Sequence, residues 1–260
     1  MALSNFVLRA ISAIILAPAI LWIVWLGGGV FFLLLLTVIL LLVPEWGRLM
    51  GSLTEVSTNI AFGTLAAGSL VAGWFLGYGE ALLVATGATF TVAFLTWREN
   101  RNVLFAAFGA MYIILPFLAL IWLRTQPVIG ASVVVWLFVV VWTSDVFAYL
   151  IGSTLGGAKL AQSISPRKTW AGFLGGISCA GLAGGITGAY LMHLQEFVFD
   201  TWAPSVLWGI FIGFMAQIGD LGESWVKRRR MLKDSGNIIP GHGGLLDRVD
   251  GLMISTPAMA

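Results

Sequence analysis

The sequence predicts an all-α fold, a polytopic integral membrane bundle of about nine transmembrane helices. Hydrophobic residues make up 59% of the 260 residues and charged residues only 10%, whereas a soluble globular chain is about half apolar and about a quarter charged. The apolar residues also come in blocks of roughly 20, the length that crosses a bilayer. These observations exclude a large soluble domain, and a net charge of only +2 argues against a nucleic-acid partner.

Nine segments are predicted to span the membrane. In chain order they are 9–26, 30–44, 58–77, 80–97, 103–123, 131–151, 170–192, 204–225 and 245–260. The first has no convincing cleavage site, so we interpret it as a retained helix and not as a signal peptide. The third, fourth and seventh are rich in Gly and Ala, which favours closely packed helices inside the bundle. The chain stops at Ala260, which leaves a short ninth helix.

The distribution of Lys and Arg predicts the orientation of the chain. With the N-terminus in the cytoplasm, 14 basic residues divide so that only Arg124 lies on the outer side. Cytoplasmic connections carry an excess of Lys and Arg, so this orientation is favoured strongly over its reverse. Two inner connections are long, 152–169 and 226–244, and they hold most of the polar residues.

Three aspartates stand where a span should be apolar. Asp145 lies in the sixth span, Asp220 in the eighth, and Asp247 at the start of the ninth. At ~1.5 Å per residue all three lie near the inner surface, which predicts one polar cavity open to the cytoplasm. Carboxylates from separate helices suit Mg²⁺ held jointly by protein and substrate phosphates. A structural ion-pair network and a transporter's proton relay are the alternatives.

Further polar residues surround these aspartates. The residues at i, i+3, i+4 and i+7 share one helix face, and here they are Asp220, Glu223, Ser224 and Lys227. The basic run 227–233 fits a lipid-contacting anchor as well as a phosphate-binding role. The glycine-rich stretch 235–244 precedes Asp247, and its backbone N–H groups suit a phosphate cradle or simply a tight turn. His242 suits a base, a metal ligand or a polar loop contact, and we favour the contact.

The other long connection ends in Ser165-Pro166-Arg167-Lys168-Thr169. Pro166 predicts a turn. Arg167 and Lys168 either set orientation or bind an anion, and their position beside hydroxyls at a helix N-terminus favours the anion.

Residues 224–250 resemble the signature of the phosphatidate cytidylyltransferases, also called CDP-diglyceride synthases. This 27-residue stretch reads Ser-Trp-Val-Lys-Arg, four further residues, then Lys-Asp-Ser-Gly-Asn-Ile-Ile-Pro-Gly-His-Gly-Gly-Leu-Leu-Asp-Arg-Val-Asp. The resemblance extends to Ser144-Asp145 with Ala148, Tyr149 and Gly152, and to residues 165–170. The first five spans resemble the family only in length and hydropathy. We therefore divide the chain into an N-terminal region, 1–125, and a C-terminal catalytic region, 126–260.

The resemblance implies transfer of a cytidylyl group from CTP to phosphatidate, which gives CDP-diacylglycerol and pyrophosphate. It implies a homodimer in the bacterial inner membrane, with a cytoplasmic active site. It also implies Mg²⁺ bound by Asp220 and Asp247, with room for a second cation such as K⁺. The expected catalytic residues are Asp220, Lys227, Lys233 and Asp247. The expected substrate-binding residues are Asp145, Ser165, Arg167, Lys168, Ser224, Asp234, His242, Gly243, Gly244 and Arg248.

Two other functions fit the same pattern. A CTP-dependent polyprenol or phytol kinase would transfer the γ-phosphate to an alcohol. A polytopic transporter would place polar residues through the full membrane depth, whereas here the outer halves of the sixth and eighth spans are apolar.

Overall fold

A computed structural model describes residues 15–50, 56–194, 198–199, 201–236 and 243–260. The chain forms two compact units. The first comprises Met1–Ile121 with Lys233–Arg248, and the second comprises Trp122–Leu232 with Val249–Ala260. His242 lies outside the described residues.

The first unit is built from the helices of the N-terminal half. They are α1 (Ile15–Leu26), α2 (Gly28–Met50), α3 (Val56–Phe75), α4 (Tyr78–Arg98) and α5 (Val103–Arg124, whose last turn belongs to the second unit). The break between α1 and α2 falls at Gly27, which has a φ of 63°, a left-handed conformation that glycine adopts readily.

Trp46 of α2 is the centre of the packing against α5. Its ring is fully buried and lies 5.6 Å from the ring of Phe105 and 5.1 Å from that of Tyr112. A Cβ atom at Gly109 would lie 1.7 Å from the indole Nε1, so only glycine fits there. The predicted end of the second span at residue 44 is therefore wrong, since α2 continues to Met50 with Pro44 inside it. Proline removes one backbone hydrogen bond from the helix, and packing against neighbouring helices offsets that loss.

The second unit holds the remaining helices and a β-hairpin. The elements are α6 (Gly130–Leu155), β1 (Lys159–Ala161), β2 (Ser165–Thr169), α7 (Trp170–His193), α8 (Trp202–Arg229) and α9 (Leu246–Met259, whose first residues belong to the first unit). Because α8 runs on to Arg229, the inner connection begins about four residues later than the predicted 226.

Small residues bring α6, α7 and α8 into close contact. A Cβ at Gly172 of α7 would lie 2.5 Å from the Ala148 carbonyl oxygen, and one at Gly209 of α8 would lie 2.8 Å from that of Ala180. The Trp136 indole Nε1 donates to the Gly184 carbonyl oxygen at 2.8 Å. The prediction of a closely packed seventh span is confirmed. The fourth differs, since Ala81, Ala85 and Ala88 are buried while Leu83 and Phe90 are largely exposed.

The connection between α6 and α7 is a hairpin and not an irregular loop. Strands β1 and β2 pair antiparallel, with Lys159 opposite Thr169. Pro166 lies within β2, so the predicted turn at Pro166 is wrong. Proline is accepted in an edge strand of this kind because it removes only one donor from the ladder.

Six described helices are long and apolar enough to cross a membrane, namely α2, α4, α5, α6, α7 and α8. The count of about nine is therefore not confirmed. The described part of α1 is short, and α3, whose first turn contains Ser57, Thr58 and Asn59, is not among the six. Helix α9 has 14 residues, or ~21 Å at the helical rise, less than the ~30 Å hydrocarbon layer.

Candidate active site

A cavity of about 650 Å³ that combines charged and apolar lining residues opens in the second unit between α6, the hairpin, α7 and α8. The charged residues on its wall are Asp145, Lys159, Arg167, Lys168 and Asp220. The remaining lining residues include Tyr149, Ser153, Thr169, Phe173 and Gln217. The cavity therefore combines three cations with two carboxylates in a chain that is otherwise poor in charge.

A salt bridge joins the hairpin to α8 across this cavity. The Lys168 ammonium lies 2.6 Å from Oδ2 of Asp220, and both side chains are only partly exposed. The Ser224 hydroxyl, one turn further along α8, donates to Oδ1 of Asp220 at 3.4 Å. The predicted shared face of α8 is confirmed by this contact and by the Lys227–Glu223 pair at 3.3 Å.

Lys227 and Glu223 are more deeply placed than the cavity wall. Lys227 is 8% exposed and Glu223 is 2% exposed, and neither is among the residues that line the cavity. Lys227, which we predicted to be catalytic, is buried here and forms an ion pair with Glu223. A buried charge needs such a partner because removing it from water is costly.

Asp145 is half-buried on α6 and interacts electrostatically with Asp220, Asp250 and Lys168. Close packing of α9 on α8 brings Asp250 to this group, since a Cβ at Gly219 would lie 2.5 Å from the Asp250 carbonyl oxygen. The predicted carboxylates of the sixth and eighth spans thus meet in one cavity. Within the second unit, the carboxylate of the last helix that interacts electrostatically with Asp145 and Asp220 is that of Asp250.

Two sets of contacts hold the hairpin that carries Arg167 and Lys168, one where it joins α7 and one at its turn. The Thr169 side chain caps α7 by accepting from the Gly172 N–H at 3.1 Å. Arg228 donates from Nε to the Ile164 carbonyl oxygen at 3.1 Å and from Nη1 to that of Leu232 at 3.0 Å. Ser165 begins β2 and does not line the cavity.

The other predicted site residues lie in the first unit. Lys233, Asp234 and Arg248 are exposed, and Asp247 is half-buried at the start of α9. Oδ2 of Asp247 accepts from the Gly244 N–H at 2.9 Å and from the Ser235 N–H at 3.1 Å. The Gly244 N–H that we predicted for a phosphate therefore donates to Asp247 here. Gly243 has a φ of 81°, which favours glycine.

Sequence reasoning missed Glu45, a carboxylate of α2 that contacts the same segment. Glu45 is 1% exposed and accepts from the N–H groups of Leu245 and Leu246, each at 2.8 Å. The signal was present, because an ionisable residue next to an apolar span requires a partner. Ending the span at residue 44 placed Glu45 outside it and hid that signal. Lys159 and Gln217 of the cavity wall were also missed as site residues, whereas Tyr149 belongs to the stretch that resembles the family.

The cavity residues fit a divalent cation that also binds substrate. Mg²⁺ prefers oxygen ligands and is usually held by one or two carboxylates together with substrate phosphates, and Asp145 and Asp220 supply such oxygens. Within the described ranges, no group of three or more His, Cys, Asp or Glu side chains forms a metal site from protein alone. The assignments of Asp220 and of Asp247 as metal ligands stay predictions.

The chain is similar to known proteins over nearly its whole length. A model described as the cytidylyltransferase family matches residues 7–260. A phosphatidate cytidylyltransferase of Brucella abortus is 38% identical over 261 aligned residues, which cover 96% of this chain and 90% of that protein. One from Rickettsia bellii is 37% identical over 161 residues, 62% of this chain and 69% of that protein. One from Rickettsia felis is 39% identical over 124 residues, which cover 47% of this chain and 54% of that protein.

Proposed function

Because the chain belongs to the cytidylyltransferase family, we propose that it transfers the cytidylyl group of CTP to phosphatidate and produces CDP-diacylglycerol and pyrophosphate. The observation that carries this proposal is the cavity of the second unit. Its wall carries Lys159, Arg167 and Lys168, and Lys168 pairs with Asp220 across it. A site for two phosphate-bearing substrates needs this concentration of positive charge.

The reaction is a substitution at the α-phosphorus of CTP. An oxygen of the phosphatidate phosphate attacks the α-phosphorus, the bond to the oxygen that bridges α and β breaks, and pyrophosphate leaves with the bonding electrons. A phosphate monoester has its second pKa near ~6, so the nucleophile is already ionised at neutral pH. No general base is needed, and catalysis rests on in-line positioning and neutralisation of charge.

The cavity residues divide these tasks. Lys168 holds the phosphates at the inner end of the hairpin, where Asp220 fixes its ammonium at 2.6 Å. Lys159 and Arg167 are exposed at the rim and attract the triphosphate or the departing pyrophosphate. The hydroxyl of Ser224 orients Asp220.

Mg²⁺ is the cation we propose for this site, with Asp220 as a ligand and substrate phosphates completing its shell. When bound, it neutralises charge on the phosphates and polarises the phosphorus under attack. We propose Asp247 as a second metal-binding carboxylate, although in the first unit its Oδ2 already accepts hydrogen bonds from backbone N–H groups. We propose that the reaction takes place on the cytoplasmic face of an inner membrane, and the excess of Lys and Arg at one end of the spans supports this orientation. We propose that the enzyme works there as a homodimer.

The phosphatidate acyl chains stay in the bilayer during the reaction. Tyr149 lines the cavity and is 71% exposed, and Leu155 and Leu174 on the neighbouring helix surfaces are 73% and 58% exposed. Apolar side chains of this kind suit lipid, so the cavity is reached sideways by a lipid and from water by CTP.

Two labelled nucleotides test the function. Purified protein in detergent receives phosphatidate, Mg²⁺ and CTP labelled at either the α- or the γ-phosphorus. We expect the α-label in the lipid product and the γ-label in pyrophosphate. Transfer of the γ-label to an alcohol such as polyprenol would show a kinase instead, and absence of any labelled lipid would contradict the proposal.

A further inference from the structure

We propose that Glu45, contributed by α2, is a positioning residue that holds the start of α9 and thereby the carboxylate of Asp247. The inference rests on the proposed function for its consequence in catalysis, although the contact itself is tested without it. It assigns a task to the N-terminal half of the chain, where the sequence shows no recognisable motif although the family model matches residues 7–260; the expectation that this half resembles the family only in length and hydropathy is therefore wrong.

The carboxylate of Glu45 accepts three hydrogen bonds from one short segment. Oε1 accepts from the Leu245 N–H and Oε2 from the Leu246 N–H, each at 2.8 Å. Oε2 also accepts from the Ser235 hydroxyl at 3.1 Å. Hydrogen bonds to an ionised carboxylate are about twice as strong as neutral ones, and these lie in a site that is nearly closed to water.

These donors are the groups that most need a partner. The first N–H groups of a helix have no acceptor within the helix, and α9 begins at Leu246. In a buried position an unpaired N–H costs about 1–3 kcal/mol. Glu45 therefore serves as a cap that comes from a different helix, where most helices use a side chain of their own first residues.

The backbone fits closely around this carboxylate. A Cβ at Gly236 would lie 2.5 Å from Oε1 of Glu45, and one at Gly244 would lie 2.8 Å from Oε2. The two glycines let the segment approach a buried charge that any larger residue would push away.

Asp247 depends on the same segment. Its Oδ2 accepts from the N–H groups of Ser235 and Gly244, and these residues directly adjoin the groups that Glu45 binds. Glu45 and Asp247 thus hold one piece of backbone from two sides, so a loss of the first changes the position of the second.

Glu45→Gln is the sharpest variant because it keeps size and removes charge. A glutamine side chain has only one acceptor oxygen. Its NH₂ group is a hydrogen-bond donor, so it would face the N–H or O–H donors of the segment without forming a hydrogen bond. Glu80→Gln is the matched control, since Glu80 lies exposed in the first turn of α4. Hydrogen exchange of peptides that cover 243–252 gives the first readout. We expect Leu245 and Leu246 to exchange at least roughly 10-fold faster in Glu45→Gln and to be unchanged in the control.

Kinetics give the second readout. We expect kcat to fall roughly 10- to 100-fold, as for other residues that orient a ligand-binding group, and the Mg²⁺ concentration for half-maximal rate to rise. A purely structural loss lowers the amount of active enzyme without moving that concentration. Exchange at the wild-type rate, or a lower kcat at an unchanged Mg²⁺ requirement, would overturn the proposal.

Ser235→Ala keeps the test decisive if Glu45→Gln does not fold. It removes one of the three bonds to Glu45, so exchange of the same peptides is expected to rise and kcat to fall by roughly tenfold or less. Wild-type exchange in Ser235→Ala would then overturn the proposal. If wild-type protein makes no CDP-lipid, the proposed function fails, whereas the exchange data still decide whether Glu45 holds the segment.

Discussion

Two connections carry the polar residues of this protein, and they are held in different ways. The hairpin between α6 and α7 in the second unit makes its own backbone pairs and presents Lys168 to Asp220. The described residues of the glycine-rich segment before α9, in the first unit, are held by the carboxylates of Glu45 and Asp247. Paired backbone therefore holds the hairpin, whereas side-chain carboxylates hold the described part of the other connection.

Asp247→Asn removes one of the two carboxylates that hold the segment before α9, and we expect it to have the largest effect. Asparagine has one acceptor oxygen, so the two backbone donors from Ser235 and Gly244 lose their charged partner. We expect turnover to fall below detection while the protein still inserts and elutes as the wild type does. Exchange of residues 243–252 should rise in parallel. Near wild-type synthesis of CDP-diacylglycerol by the folded variant would refute the assignment of Asp247.

Asp220→Asn tests the contact between the hairpin and α8. The change removes the partner of the Lys168 ammonium and one carboxylate of the cavity, and we expect kcat to fall roughly 100- to 1,000-fold. Because Asp220 lies in the second unit, exchange of 243–248, the described residues of this segment that belong to the first unit, should stay as in the wild type. Equal disturbance of that peptide by Asp220→Asn and Asp247→Asn would break the distinction between the two regions.

Gly172→Ala tests the helix contact that carries the hairpin. The new Cβ would lie 2.5 Å from the Ala148 carbonyl oxygen and 3.0 Å from Cα of Gly152, and crowding of this kind costs about 1–3 kcal/mol. We expect a lower thermal unfolding midpoint in detergent. Gly222→Ala is the control, because a Cβ there meets nothing within 4 Å, and its midpoint should stay the same or rise.

Arg228→Ala is expected to have the smallest effect. It removes two hydrogen bonds from an exposed side chain to the carbonyls of Ile164 and Leu232, each worth about 1 kcal/mol. We expect faster proteolysis near residue 164 and a few-fold loss in kcat/KM. Arg229→Ala serves as the comparison, since Arg229 lies over the Trp225 ring at 4.3 Å. Equal effects of the two variants would show that Arg228 does no more than contribute charge.

The sequence predicted the all-α fold, and two of the three aspartates that it assigned to one polar cavity, Asp145 and Asp220, line that cavity. Asp145 and Asp220 were found because a carboxylate in an apolar span is costly, and the structure brings both to one cavity. Arg167 and Lys168 were found because they precede a helix. The family was identified from residues 224–250, and the comparisons confirm it.

What the sequence could not predict depends on tertiary contacts. Pro44 has a strong local preference against a helix interior, yet packing around Trp46 carries α2 through it to Met50. The hairpin strands are too short for an alternation pattern to be recognised. Glu45 and its donors are 190 to 201 positions apart, and no spacing rule links residues at such separations.

The central claim is that the cavity of the second unit binds CTP, and one cysteine measurement tests it directly. The chain has a single cysteine, Cys179, so Cys179→Ala provides a background for Ser153→Cys, which lies on the cavity wall. Thr125→Cys, exposed in the turn before α6, is the control. We expect CTP with Mg²⁺ to slow alkylation at position 153 and leave position 125 unchanged. Equal alkylation rates at position 153 with and without CTP, in a variant that still makes CDP-diacylglycerol, would contradict the account.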